Sequence, residues 1–291
     1  MREIERLSEM RAACAAVRAA GERLAFVPTM GFLHEGHLRL ARVAREHAGR
    51  VAMSIFVNPL QFGPGEDFER YPRDAARDRA LAASAGADLL WMPSREEMYP
   101  ELPRVTVAPG PAGDVFEGAV RAGHFVGVLT VVLKLFEVVR PDVAVFGRKD
   151  VQQAALVRRM VTDFDLGVEI VVAPTVRESD GLALSSRNVY LDAAARGRAA
   201  LLSRALAAGV ERFRRGERSG AAIAAAARAV LDAEAAIATD YVACIEPVTF
   251  TAAADATGAC VLALAARVGG TRLIDNVVLG EGLEGDVRAG G

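Results

Sequence analysis

The chain has 291 residues, 52% of them hydrophobic and 25% charged. That composition excludes a disordered chain and can fill one large domain or two ordinary ones. A net charge of −2 argues against a surface built to grip nucleic acid, and the three scattered cysteines, Cys14, Cys244 and Cys260, exclude a paired-cysteine zinc site and point to a reduced, cytoplasmic protein.

The first twenty-odd residues, "MREIERLSEMRAACAAVRAAGER", carry charges throughout. They predict an amphipathic helix and lack the apolar core of a signal peptide. "RLAFVPT" predicts a strand, "EGHLRLARVAREHA" a helix, and "RVAMSIFV" a second strand. Residues 73–85 predict a helix, and "ADLLWMP" a third strand. "GHFVGVLTVVLKLFEVV" predicts a buried helix ended by Pro141. Lys134 and Glu137 make it too charged, and its length too short, to span a membrane. "VAVFG" is a fourth strand, "KDVQQAALVRRMVTDF" a helix and "GVEIVVAP" a fifth strand. Strands alternating with helices imply parallel pairing with right-handed crossovers. Strands apolar on both faces imply helices on both sides of the sheet. Ligands of such sheets bind beyond the carboxyl ends of the strands.

Near Pro174 the pattern changes. Two Ala-rich helices, about 192–215 and 219–236, precede strands in "DYVACIEPV", "ACVLALAARV" and "TRLIDNVVL". Gly269 and Gly270 predict a tight hairpin turn between the last two. This is an α+β pattern, which places domains at 1–175 and 176–291. There is no internal repeat, and the tail "EGLEGDVRAGG" is expected to fray.

"PTMGFLHEGHLRLA", Pro28 to Ala41, joins the first strand to the first sheet-flanking helix. Gly31 and Gly36 permit unusual backbone angles and close approach. Backbone N–H groups at the helix start attract phosphate oxygens. His34 and His37 fall on the first turn, where both could donate to a phosphate whose charge grows during transfer. The chain has only four histidines, so two surface histidines meeting here by chance is the weaker reading. A zinc site lacks a third ligand nearby and the longer spacing usual for such pairs.

Other stretches are ambiguous alone. "FGRKD" offers Arg148 and Lys149 to an anion and Asp150 to a ribose, or is a solvated turn with Asp150 as a helix cap. Ser185, Ser186 and Arg187 in "LALSSRN" suit a phosphate clamp or a polar turn. Asn58 and Gln61 follow the second strand, and Gln152 and Gln153 open a helix. These amides could orient a polar substrate or be surface groups. His124 could be a cap or a ligand contact, and Asp78 reads most simply as a solvated charge. The chain contains no GxxxxGK[ST], so any nucleotide is not held by a P-loop.

A strand followed by H-x-G-H resembles the nucleotidyltransferase superfamily of adenylate-forming enzymes. The segments "FVPTMGFLHEGHLRLA", "SIFVNPLQFGPGEDFERYPR", "GHFVGVLTVVLKLF", "FGRKDVQQ", "DGLALSSRNVYL" and "TRLIDN" occur in order. Together they resemble the pantoate–β-alanine ligase family along nearly the whole chain. "NPLQF" and "GLALSSRN" separate that family from its relatives. The resemblance implies a Rossmann-like α/β domain with a smaller C-terminal α+β lid, a homodimer, and Mg²⁺ as cofactor beside ATP. It implies that (R)-pantoate attacks the α-phosphate of ATP to give pantoyl adenylate and pyrophosphate. β-Alanine then displaces AMP, giving pantothenate, a coenzyme A precursor. It implies that Met30, Gly31, Phe32, Leu33, His34, Glu35, Gly36 and His37 line the nucleotide pocket, with His37 at the position usually called the proton donor. Lys149 would neutralise phosphates. Leu184, Ser185, Ser186 and Arg187 would close over them. Gly147 and Asp150 would hold the adenosine, with Arg148 in the same nucleotide-binding stretch and Val176 near the adenine. Gln61 and Gln153 would hold pantoate with Asn58 close by, and Asp78 would be a Mg²⁺-side carboxylate. Residues 62–72, "FGPGEDFERYP", could be part of a gate. The family usually has an acidic residue where Arg148 stands. An outward-pointing Arg148 is expected, so that Arg148→Glu would cost little.

Two other readings compete. A nucleotidylyltransferase would share H-x-G-H but keep the nucleotide in its product. A non-catalytic nucleotide-binding module with an RNA partner would show salt-sensitive binding without turnover.

Overall fold

Consecutive strands of the first half alternate with helices, and their burial explains why. Leu24, Ala25, Phe26 and Val27 are wholly buried, as are Val51, Ala52 and Met53. Strands with no exposed face need cover on both sides. The computed structural model describes residues 1–289 and divides them into two compact units. The first comprises residues 1–113, 121–147 and 156–173, and the second residues 114–120, 148–155 and 174–291.

In the first unit, β1 (Arg2–Ile4), β2 (Leu24–Thr29), β3 (Arg50–Ile55), β4 (Leu89–Trp91), β5 (Val143–Gly147) and β6 (Glu169–Ala173) form one sheet in the order β1-β4-β3-β2-β5-β6. Every pairing is parallel. This is the expected Rossmann-like sheet, with one strand more than the sequence pattern indicates. From β2 the chain moves to β3 and β4 on one side, then returns to β5 on the other. The carboxyl ends of β2 and β5 therefore flank the point where the order reverses, the place where such sheets bind ligands.

The extra strand is β1. The charged N-terminus is helical only from Leu7, in α1 (Leu7–Ala19), while Arg2–Ile4 pair with Leu89–Trp91. Three residues are too few to display an alternating pattern, and their partner lies 87 positions on. α2 (Glu35–His47) buries Leu38, Leu40, Ala41, Val43 and Ala44, which join Val27, Val51, Met53, Val143 and Val145 in one core. α3 (Ala75–Ser84), the short α4 (Arg95–Met98) and α6 (His124–Val139) complete the unit. α6 buries ten of its residues and ends where Arg140 turns left-handed ahead of Pro141. Among the described residues no helix is long and apolar enough to cross a membrane.

The second unit includes the short α5 (Glu117–Val120) and the start of α7 (Val151–Asp163). Its main sheet is antiparallel, in the order β10-β9-β8, from β8 (Ile237–Ile245), β9 (Val261–Val268) and β10 (Thr271–Val278). Gly269 and Gly270, both at positive φ, make the predicted hairpin. The first Ala-rich helix is interrupted at Ala200 into α8 (Ala193–Ala199) and α9 (Leu201–Arg214). At the break Ser203 Oγ donates to Ala200 O over 3.0 Å, competing with the helical ladder. Leu202, Leu206 and Val210 of α9, with Ile223, Ala227 and Leu231 of α10 (Gly220–Asp232), share a core with Leu262, Leu264 and Val268.

The tail does not fray over its described length. After a 3₁₀ turn at Leu283–Gly285, β11 (Val287–Arg288) pairs in parallel with β7 (Val176–Arg177). Gly290 and Gly291 lie outside the described residues.

Candidate active site

The turn after β2 is shaped by one carboxylate. Gly31 (φ +83) and Phe32 (φ +48) are both left-handed. A side chain at position 31 would come within 2.8 Å of Ile55 Cγ2 and 3.0 Å of Asp78 Oδ2, so glycine is required there. A left-handed phenylalanine costs about 1–2 kcal/mol. Asp78 offsets that cost: Oδ2 accepts from Phe32 N at 2.8 Å and Oδ1 from Leu33 N at 2.7 Å. The solvated charge expected at Asp78 is instead 2% exposed. Leu33 is wholly buried, which pins the far side of the turn, and the Arg77 guanidinium lies 4.9 Å over the Phe32 ring.

The two histidines then cap α2 reciprocally. His34 is the extended N-cap residue, and its Nδ1 accepts from Gly36 N at 3.1 Å. His37 Nδ1 accepts from His34 N at 3.3 Å. This is a capping box with imidazoles in the usual Ser and Glu roles. An Nδ1 that accepts a backbone N–H carries no proton, so the neutral ring is protonated at Nε2. Both rings thus keep Nε2–H as their donor, with centroids 4.1 Å apart. The arrangement yields two donors beside a helix start, suited to an anion.

Beyond β3, the 3₁₀ turn Pro59–Gln61 holds the amides. Asn58 is 1% exposed. Its Nδ2 donates to Gln61 Oε1 and Gly127 O, both at 3.1 Å, and its Oδ1 accepts from Leu60 N and from Tyr99 Oη. Its hydrogen-bonding capacity is filled inside the protein. The expectation of a substrate contact at Asn58 gives way to one of orienting Gln61, whose Nε2 lies 3.0 Å from Met30 Sδ. Gly127 of α6 lets this turn rest directly on the helix, because a Cβ there would be 2.1 Å from Leu60 O. His124 and Arg121 fasten the same turn through the Gln61 carbonyl, His124 Nδ1 at 2.8 Å and Arg121 Nη2 at 3.3 Å. Arg121 also grips Glu66 (2.6 and 2.8 Å), a residue of the expected gate. Burial pushes the Glu66 carboxyl up, but Arg121 more than compensates and leaves it below the usual carboxylate range.

In the second unit, Arg148 to Asp150 form a 3₁₀ turn. The outward Arg148 of the sequence reading is not observed: its side chain is 12% exposed. It binds Glu281, Asp286 Oδ1 (2.8 Å) and Gly285 O (3.2 Å). Burial opposes its charge, yet Asp286 and Glu281 hold its pKa above the ordinary arginine value. Asn276 Nδ2 donates to the carbonyls of Arg148 and Lys149, at 3.0 and 2.8 Å. The Lys149 ammonium lies 4.0 Å from Asp150 Oδ2. Gln152 is buried and spent on the segment 114–120: its Oε1 accepts from Glu117 N and its Nε2 donates to Val115 O. Glu117 in turn takes both Nη atoms of Arg272 and the Tyr241 hydroxyl. Gln153, one position on, is partly exposed.

Ser185 caps a 3₁₀ turn, Ser186–Tyr190, with its Oγ accepting from Arg187 N at 3.2 Å. Ser186 is buried. Val176 lies buried in β7, and its carbonyl accepts from Leu184 N. Arg177, which sequence reading did not single out, is 1% exposed and forms a bidentate pair with Asp275 at 2.7 and 2.9 Å. The "TRLIDN" motif was the available signal for Asp275 and Asn276. Nothing in the sequence pointed to Asp286.

The residues do not fit a protein-held Mg²⁺ centred on Asp78. Both its oxygens serve the turn, and among the described residues no group of three or more His, Cys, Asp or Glu side chains could hold a metal ion.

A family model described as pantoate–β-alanine ligase matches residues 2–278, stopping short of the segment that forms β11. A pantothenate synthetase of Thermobifida fusca is 56% identical over 91% of this chain and 92% of its own length. One from Acidothermus cellulolyticus is 53% identical, over 93% and 89%. The crystal structure of pantothenate synthetase from Thermus thermophilus superposes with a TM-score of 0.90 at 49% identity, covering 96% of this chain and 99% of that one. A pantoate–β-alanine ligase from Francisella tularensis, described as complexed with β,γ-ATP and β-alanine, gives 0.79 at 29% identity, over 97% and 99%.

Proposed function

The chain belongs to the pantoate–β-alanine ligase family and condenses pantoate with β-alanine using ATP, and we propose that it does so through a pantoyl adenylate formed at the turn that carries His34 and His37. The reciprocal histidine cap is the observation that most supports this reading, because it fixes two imidazoles at a helix N-terminus with each Nδ1 turned to the backbone.

The (R)-pantoate carboxylate is ionised at neutral pH, so the first step needs no general base. An oxygen–phosphorus bond forms at the α-phosphate, the α–β bridge breaks, and pyrophosphate leaves. That step needs alignment and stabilisation of charge on phosphate oxygens. His34 and His37 supply donors, and Lys149, Ser185, Ser186 and Arg187 are proposed to contact the same phosphates. Met30 to His37, Gly147, Asp150, Val176 and Leu184 are proposed to bind the nucleotide. Gln61 and Gln153 are proposed to hold pantoate, with Asn58 orienting Gln61. In the second step the neutral amine of β-alanine attacks the acyl carbon and gives up a proton to solvent as the C–N bond forms, and AMP departs with the electron pair of the broken C–O bond.

Mg²⁺ is proposed to arrive on the nucleotide's own oxygens and water, neutralising phosphate charge, and no protein group is assigned to it. A closing C-terminal lid, a gate at 62–72, a homodimer and a cytoplasmic location are further proposals. Limited proteolysis with and without ATP plus pantoate checks the first two, sedimentation equilibrium the third, and cell fractionation the fourth.

The test of the reaction is AMP release with pantoate and β-alanine supplied singly and together, alongside pyrophosphate exchange with pantoate alone. AMP only with both, and exchange with pantoate alone, is the expected result. Exchange that requires β-alanine would overturn the adenylate route.

A further inference from the structure

The C-terminal segment 281–289 follows the matched family region and touches the residue before Lys149 and the β7 segment that leads, through a tight fold-back, to the Ser185 loop. On one side the Arg148 guanidinium binds Glu281, Gly285 O and Asp286 Oδ1, one residue before Lys149. On the other side Val287 N donates to Thr175 O at 2.9 Å and Ala289 N to Arg177 O at 2.7 Å. Arg288 Nη1 donates to Glu178 O at 3.0 Å. From Arg177 the chain folds back at once. Arg177 bridges Ala183, Glu178 N donates to Leu182 O, and Leu184 N donates to Val176 O. The next residue is Ser185.

Asp286 joins the two sides. Its side chain is 2% exposed. Oδ1 takes Arg148 at 2.8 Å and Oδ2 takes Arg177 Nε at 2.6 Å. Behind it, Arg177 holds Asp275 in a bidentate pair, and the neighbouring Asn276 holds the carbonyls of Arg148 and Lys149. The ring is closed by β10, so a shift of the strap moves the Lys149 turn and the Ser185 loop together.

We propose that residues 281–289 form a strap that sets the Lys149 turn and the Ser185–Arg187 loop relative to each other for ATP, with Asp286 as its central positioning residue. The proposal rests on the reading that those two stretches contact the phosphates. Arg148 is a second positioning residue, acting through the backbone of Lys149.

The charges make the test clean. Without Asp286, Arg148 keeps Glu281 and Arg177 keeps Asp275, so neither guanidinium loses its last carboxylate. Asp286→Asn therefore keeps the fold and cuts the link. The assay is pantoate-dependent pyrophosphate exchange on the full-length protein, with thermal unfolding run in parallel. Expected for Asp286→Asn is an ATP KM raised five-fold or more and a lower kcat, with pantoate KM unchanged and the melting temperature lowered by several degrees but the chain folded at the assay temperature. Asp286→Glu recovers part of the loss. A chain ended at Gly280 shows the same ATP defect, larger. Arg148→Glu, which sets a third carboxylate against Glu281 and Asp286, also raises the ATP KM. Glu284→Gln, in the strap but paired with the exposed Arg214, changes neither constant.

Lys149→Ala and Ser186→Ala are measured beside them. If both keep the wild-type ATP KM and kcat, the phosphate reading falls and the strap proposal with it. If they lose ATP binding while Asp286→Asn and the shortened chain fold and keep the wild-type ATP KM, the strap proposal alone is overturned.

Discussion

Replacing Asp78 with asparagine tests whether one buried carboxylate holds the histidine turn in its working shape. The wild-type oxygens each accept a backbone N–H, at 2.8 and 2.7 Å, in a site only 2% exposed. Hydrogen bonds to a buried charge contribute about 1.5–3 kcal/mol each. Asparagine keeps one acceptor and sets an NH₂ against the other N–H, so one bond is lost and two donors face each other. The expected destabilisation is roughly 2–4 kcal/mol, which lowers the melting temperature by about 3–7 °C in a chain of this size. Relaxation of the left-handed Phe32 would move His34 and His37. A displacement of about 1 Å at a reacting centre costs on the order of 10²-fold in rate. Differential scanning calorimetry and pantoate-dependent pyrophosphate exchange read the two effects. An unchanged melting temperature with a raised Mg²⁺ requirement would make Asp78 a metal ligand and refute its role in holding the Phe32–Leu33 turn. A lowered melting temperature with wild-type exchange would confine Asp78 to stability and refute the positioning argument.

His37→Asn keeps an acceptor for His34 N but removes the Nε2–H. Exchange should fall by about 10²–10³-fold with the melting temperature within about 2 °C, and a wild-type rate would remove His37 from the chemistry. Gly127→Ala forces a Cβ to 2.1 Å from Leu60 O. It should cost about 1–3 kcal/mol and raise the pantoate KM more than the ATP KM, which steady-state kinetics will show. Glu66 is held below the usual carboxylate range, so its pairing with Arg121 stabilises fully above about pH 4.3, the ordinary Glu value, and is lost as pH falls through the lower native value. Proteolysis of segment 62–72 by an acid-active protease should accelerate across that window, and Glu66→Gln should abolish the pH dependence.

Short-range signals were legible in the sequence wherever partners lie within a few residues. The helix start at the His34–His37 turn and the Gly269-Gly270 hairpin were read from spacing, and the hydrogen bonds that shape that helix start join residues no more than three positions apart. The strand and helix periods of the first half were equally local, and they determined a parallel sheet. Partners far apart in sequence were not legible. Asp78 lies 45 and 46 positions from the N–H groups it holds, and by composition it is one more charge on a helix. Arg148 points inward because Asp286, 138 positions later, is waiting for it. Arg2–Ile4 become a strand only because β4 offers an open edge, and the tail is ordered because β7 does the same. Local spacing fixes which backbone hydrogen bonds and caps can form within one turn. Which buried charge meets which guanidinium depends on chain closure over a hundred residues, and only the tertiary structure decides that.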